Sequence, residues 1–186
     1  ADSKVFAFLH LYEPHTPYSP PPAYRTGDPY DGEIAYADEL VGRLLDRIKT
    51  RGWLDRAIVA IVSDHGEGLG DHGESEHGIL LYREALQVPW ILRLPGGGSG
   101  RRIAGTLGLV DVAATLLDLA ALDAGSLDGQ SVRSALATNA RVDRSVYSET
   151  FYPRLHLGWS DLASATEQHF RFIKAPLPEL YDLSND

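Results

Sequence analysis

Asp64 and His65 stand side by side directly after the apolar run Ala57–Val62. A carboxylate and an imidazole at a rigid strand end are good donors to a divalent cation. Two donors do not close a metal site, so further ligands have to come from elsewhere. The plain alternative is a solvated Asp and a surface His on a turn, and the pair alone favours it. The following loop shifts the balance, because five glycines fall at positions 66, 68, 70, 73 and 78. Such density beside a core strand points to a backbone that other residues could not adopt. His72 and His77 lie in the same loop. With His65 they could form a three-His or mononuclear zinc site, but the spacings of six and four intervening residues match no common zinc motif. A histidine beside a metal can instead act as general acid or as donor to an oxyanion. Loop packing is the simpler role for His72. His15 lies in a second candidate segment, Glu13-Pro14-His15, where proline holds a side chain at low entropic cost. His10 lies inside an apolar run, so burial with a hydrogen bond is its expected fate.

Several elements have to position these groups. Val5–Leu11 is β-branched and aromatic and reads as a strand buried on both faces. A proline-dense loop follows, with six of the 11 prolines between Pro14 and Pro29. Ile34, Ala37, Val41, Leu44, Leu45 and Ile48 recur at helical spacing and predict a helix over about 32–50, ended by Gly52. Its charged residues read as a solvated face. Ala57–Val62 and Val88–Leu94 read as further strands, with a short helix over 80–86. Asp111 is a plausible N-cap of a helix to about Leu122. Ser145–Glu149 reads as a fourth strand, and Phe170–Lys174 with Leu180–Leu183 as a peripheral hairpin. Strands alternating with helices predict an α/β domain with a mostly parallel sheet covered on both faces. The ends of the first two strands, if parallel, would bring Glu13–His15 and Asp64–His65 to one edge, where open sheets bind ligands.

The chain has 186 residues, 44% of them hydrophobic and 23% charged, the profile of one globular domain. We read 1–186 as a single domain, with a core over about 1–150 and a peripheral C-terminal segment over 151–186. A net charge of −9 argues against nucleic acid or an anionic membrane as partner. No apolar run is long enough to cross a bilayer, and no signal peptide is visible. Cysteine is absent, which excludes a disulfide framework, a thiolate metal site and a cysteine nucleophile. Methionine is absent even at position 1, so the chain reads as processed or cut from something longer. Gly96–Gly100 has no following Lys-Ser or Lys-Thr and is not a phosphate loop.

An ordered set of motifs spans the chain. It runs Glu13-Pro14-His15-Thr16-Pro17-Tyr18, Tyr30-Asp31-Gly32-Glu33-Ile34, Asp38 with Val41-Gly42, and Ser63-Asp64-His65-Gly66-Glu67. It continues with Leu69-Gly70-Asp71-His72-Gly73-Glu74, His77-Gly78, Leu81-Tyr82, Val88-Pro89 and Asp111-Val112. Asp128-Gly129-Gln130-Ser131, Tyr147-Ser148-Glu149 and Glu179-Leu180-Tyr181-Asp182-Leu183 complete it. This set resembles the C-terminal part of a bacterial sulfatase of the alkaline phosphatase superfamily. The resemblance implies a three-layer α/β sandwich, incomplete here at its N-terminus. It implies hydrolysis of sulfate esters by a formylglycine beside one divalent cation, calcium above all, with manganese, zinc or magnesium as other candidates. It assigns Asp64 and His65 as metal ligands. It assigns His15 and His77 as contacts to the sulfate or leaving group of an anionic sulfate or phosphate ester. It also implies export to the periplasm or beyond.

The departures are informative. The family carries its nucleophile in a Cys/Ser-x-Pro-x-Arg motif preceded by a pair of Asp ligands, and neither occurs here. Ser19-Pro20-Pro21-Pro22-Ala23 lacks the Arg and follows His15, in the wrong order. Half of an active site is therefore expected, silent on its own, from a chain whose sheet would expose edges and an uncovered face. Two other readings stand beside this one. One is a phosphate or phosphonate ester hydrolase of the same superfamily, which also uses an Asp-His pair. The other is a non-catalytic metal-binding module.

Overall fold

The computed structural model describes residues 3–185. They divide into two compact units, one ending at Arg56 and one starting at Ala57.

The first unit is built on helix α1, Pro29–Thr50. Its start is set locally: the Asp28 carboxylate accepts from the Tyr30 N–H at 2.8 Å, and Pro29 supplies a φ suited to the first turn. Asp31 near the start and Arg47 and Lys49 near the end complement the helix dipole. The chain leaves the helix through Gly52 at φ 69°, a left-handed position that glycine adopts without strain. The helix buries Gly32 and Glu33. A side chain at 32 would lie 2.5 Å from the Tyr24 carbonyl oxygen, so glycine lets the proline loop close onto the helix. Glu33 holds that loop by accepting from the backbone N–H of His15 at 3.0 Å and of Ser19 at 2.6 Å.

The expected first strand is not formed. Val5, Phe6 and Phe8 are largely exposed and the segment pairs with no described strand. His10 is exposed as well, against the expectation of burial. The reason is that an apolar β-branched run signals burial but supplies no ladder partner, and a strand exists only through pairing.

The second unit carries three small sheets. Strand β1, Val59–Val62, pairs antiparallel with β2, Trp90–Arg93, after the short helix α2, Arg83–Leu86. Val62 and Ile91 remain 41% and 58% exposed, so much of this apolar pair is uncovered. β3, Gly105–Thr106, pairs parallel with β4, Val142–Asp143. Helices α3, Val110–Leu119, and α4, Arg133–Thr138, lie between them in sequence. Asp111 falls inside the first turn of α3 rather than at its cap. It is buried there, accepting from the Gln130 N–H at 2.9 Å and facing Arg144 Nη1 at 3.3 Å. Its position follows from the long-range partners, which draw the carboxylate inward.

The expected C-terminal hairpin is the edge of a larger sheet. β5, Val146–Thr150, is followed by helix α5, Tyr152–Leu157. β6, Leu162–Glu167, β7, Phe170–Lys174, and β8, Glu179–Asp182, then join β5 in the order β5-β6-β7-β8, antiparallel throughout. Ser164, Thr166, Arg171 and Ile173 face inward on this sheet. Among the described residues no helix is long and apolar enough to cross a membrane.

Candidate active-site half

The glycine-rich loop after β1 is folded by close approach. Gly66 donates its N–H to the Ala85 carbonyl at 2.8 Å, and a Cβ there would sit 1.9 Å from the Glu84 carbonyl oxygen. Gly68 donates to the Glu76 carbonyl at 2.7 Å, and a Cβ there would sit 2.3 Å from the Glu74 carbonyl oxygen. The buried Glu74 carboxylate accepts from the N–H of Ile79 at 2.7 Å and of Leu80 at 3.1 Å. The loop thus folds back so that residue 77 returns to the end of β1.

Asp64 presents its carboxylate to solvent, with a side chain 84% exposed. Its Oδ1 accepts from the His65 N–H at 3.1 Å and lies 3.8 Å from His65 Nε2. Ligands at about 2.3–2.6 Å from one cation and roughly at right angles lie about 3.5 Å apart, so the spacing suits a shared ion. The His65 Nδ1–H donates to the Gly66 carbonyl at 2.8 Å, because a carbonyl can only accept. That contact orients the ring and leaves Nε2 as the nitrogen that could meet a metal. Ser63 Oγ–H holds the His65 carbonyl at 2.6 Å. Asp64 and His65 could therefore hold two positions of a divalent cation. Among the described residues no group of three His, Asp or Glu side chains forms a complete metal cluster.

His77 lies on His65, the rings stacked at 3.8 Å between centroids and 24° between planes. Its Nδ1 is 3.1 Å from Oε1 of Glu67, whose side chain is 4% exposed. Glu67 is the residue that sequence reasoning passed over. Its place in the Asp64-His65-Gly66-Glu67 run was visible, but its contact with His77 spans ten residues of irregular loop. His72 takes no part in this group. It is 2.8 Å from Glu84 Oε1 and stacks on Tyr82 at 3.9 Å, which sets aside a site of His65, His72 and His77.

His72 belongs to a structural cluster that ties the loop to the C-terminal sheet. Tyr82 donates to Glu179 Oε2 at 2.9 Å, and the Tyr181 hydroxyl donates to the same oxygen. Burial, then the Glu179 hydrogen bond, pushes the Tyr82 hydroxyl above its usual titration range. The Glu179 hydrogen bond chiefly does the same for Tyr181. A cleft of about 430 Å³ opens here, lined by His72, Tyr82, Glu84, Arg171 and Tyr181 among others. It includes none of Asp64, His65 or His77, and most of its polar groups are engaged with one another, so cavity size is a poor guide to the chemistry.

His15 lies in the first unit. Its backbone is pinned by Glu33, its Nδ1–H donates to the Thr16 carbonyl at 2.8 Å, and its ring stacks on Tyr12 at 4.5 Å. The Thr16 contact places the Nδ1 proton and the Tyr12 stacking fixes one face of the ring.

Comparison with known proteins gives the family and the fold. The sulfatase family matches over residues 1–122. An arylsulfatase of Clostridium perfringens is 34% identical over 112 residues, covering 58% of this chain and 23% of that protein. A solved structure in complex with its substrate D-glucosamine-2-N,6-O-disulfate is 28% identical with a TM-score of 0.69, covering 84% of this chain and 34% of the other. The phosphonate monoester hydrolase of Agrobacterium radiobacter is 27% identical with a TM-score of 0.70, covering 85% and 35%. The chain thus spans between about a quarter and about a third of the length of these relatives, and it has their α/β fold with mixed sheets. By matched family, fold and the order of its motifs, the chain belongs to the sulfatase family.

Proposed function

We propose that the full-length protein is a metal-dependent hydrolase of sulfate esters and that these residues supply half of its active site. The observation that carries this reading is the meeting of Asp64, His65 and His77 at the end of β1 in a chain of the sulfatase family. Asp64 Oδ1 and His65 Nε2 are the ligands this chain offers to one divalent cation; calcium is the ion the resemblance implies, and the imidazole nitrogen also admits manganese or zinc. When bound, that cation supplies Lewis-acid stabilisation of charge on the non-bridging oxygens. His77 presents a ring nitrogen to the sulfate group or its leaving oxygen, where a positioned donor stabilises charge as the ester bond breaks, and the motif resemblance gives His15 the same role. In a chain of net charge −9, donors of this kind supply the local positive focus that an anionic substrate requires. The nucleophile lies outside these 186 residues, which contain neither Cys nor the Cys/Ser-x-Pro-x-Arg motif, so the chain alone turns over no ester. Export to the periplasm or beyond fits this assignment.

A second reading is favoured by the 27% identity to a phosphonate monoester hydrolase: the same residues would serve a phosphate or phosphonate monoester. Assay of the full-length protein with matched aryl sulfate and aryl phosphonate esters separates the two. Faster turnover of the sulfate is expected. Asp64→Ala is expected to lower metal content and to cut turnover by at least about 100-fold. Unchanged metal content in that variant would overturn the metal assignment, and an inactive wild type would leave a metal-binding module.

A further inference from the structure

We infer that Glu67 is a positioning residue for His77. The inference rests on the proposed role of His77 but concerns a residue to which that proposal gives no part. Glu67 sits between two glycines whose backbones are clamped on both sides. Gly66 is bonded to Ala85 at 2.8 Å and Gly68 to Glu76 at 2.7 Å, and neither has room for a side chain. The clamp drives the Glu67 side chain inward, where it is 4% exposed and its Oε1 meets His77 Nδ1 at 3.1 Å. A buried carboxylate is costly to desolvate and is retained only where hydrogen bonds offset the cost. Here its Oε1 is engaged by the ring of His77. A carboxylate can only accept, so Nδ1 carries the proton and Nε2 is the nitrogen that addresses substrate. The opposite constraint comes from His65, stacked on the same ring at 3.8 Å. Carboxylate at one edge and imidazole on one face leave the ring a single orientation. The backbone is fixed too, since Thr150 Oγ–H donates to the Gly78 carbonyl at 2.6 Å, one residue beyond. Glu67 acts through His77 and does not itself touch the reacting group.

The test uses the full-length protein and the variants Glu67→Ala, Glu67→Gln, His77→Ala and the double variant Glu67→Ala/His77→Ala. Misplacing a catalytic group by about 1 Å costs about 100-fold in rate, so Glu67→Ala is expected to lower kcat by up to about that factor, with KM nearly unchanged. Glu67→Gln keeps an acceptor at Oε1 and is expected to recover most of kcat. The double variant is expected to be no slower than His77→Ala alone, since the two residues act as one unit. A full additional loss in the double variant, or wild-type kcat in Glu67→Ala, would overturn the inference. A second readout is independent of turnover: NMR of 15N-histidine-labelled protein should show the His77 Nδ1 proton in wild type and Glu67→Gln and lose it in Glu67→Ala. If the wild type hydrolyses neither ester, the functional proposal fails while this signal still decides the positioning. Retention of the signal in Glu67→Ala would overturn it.

Discussion

At the scale of single residues, the buried carboxylates organise the two histidine segments. Glu33 reaches from α1 to two backbone N–H groups of the proline loop, at 3.0 and 2.6 Å. Glu33→Ala would strand these donors, and a buried unsatisfied group costs about 1–3 kcal/mol. The expected outcome is a loss of stability in that range in urea unfolding, with faster amide exchange at Ser19. Glu33→Gln, which still offers one acceptor oxygen, should recover part of it. Gly66 shows a second kind of constraint. A Cβ there would meet the Glu84 carbonyl oxygen at 1.9 Å, which only backbone movement relieves. Gly66→Ala is expected to lower Tm by several degrees, for a cost of about 2–3 kcal/mol. Wild-type Tm in that variant would show that the loop yields more readily than its contacts indicate.

At the scale of elements, the C-terminal sheet acts as a brace for the glycine-rich loop. Glu179 on β8 accepts from Tyr82, just before α2, and from Tyr181 on its own strand. Both tyrosines titrate above their ordinary value of 10.0 in the folded protein. A raised folded value means that the folded state holds the proton more tightly than the unfolded chain. The stabilisation is therefore complete below pH 10 and disappears as pH rises through the raised values. Denaturation midpoints should fall from about pH 10 upward in the wild type. The fall should be shallower in Tyr82→Phe/Tyr181→Phe, which is already weakened at pH 8. Equal slopes for the two proteins would show that the brace makes no contribution to alkaline stability.

At the scale of the whole chain, apolar surface is the dominant feature. Val5, Phe6 and Phe8 in the first unit and Val62 and Ile91 in the second are exposed, and β1 and β2 pair only with each other among the described residues. Large uncovered apolar surface and open strand edges drive association. A polypeptide of these 186 residues is expected to bind a hydrophobic dye and to form concentration-dependent oligomers in sedimentation experiments. A dye-silent monomer would mean that this surface is covered by rearrangement within the chain.

What the sequence determined is what lies close together along it. The motif order identified the family, and Asp64 and His65 are neighbours, so their pairing as donors needed only the end of a strand. Helix α1 was legible from its apolar spacing, although it begins at Pro29 through the Asp28 cap, a few residues before the periodic pattern does. Propensity and periodicity are local properties, and they carry this far. Tertiary structure decided the rest. The Val5–Leu11 run has β character but no pairing partner among the described residues, and β1 meets β2 antiparallel where a mostly parallel sheet was expected. Glu67 reaches His77 across ten residues, and Glu33 reaches His15 across 18. Those contacts depend on where glycines allow backbones to touch and on which distant donor meets a buried carboxylate. Neither is encoded in the spacing of residue types along the chain.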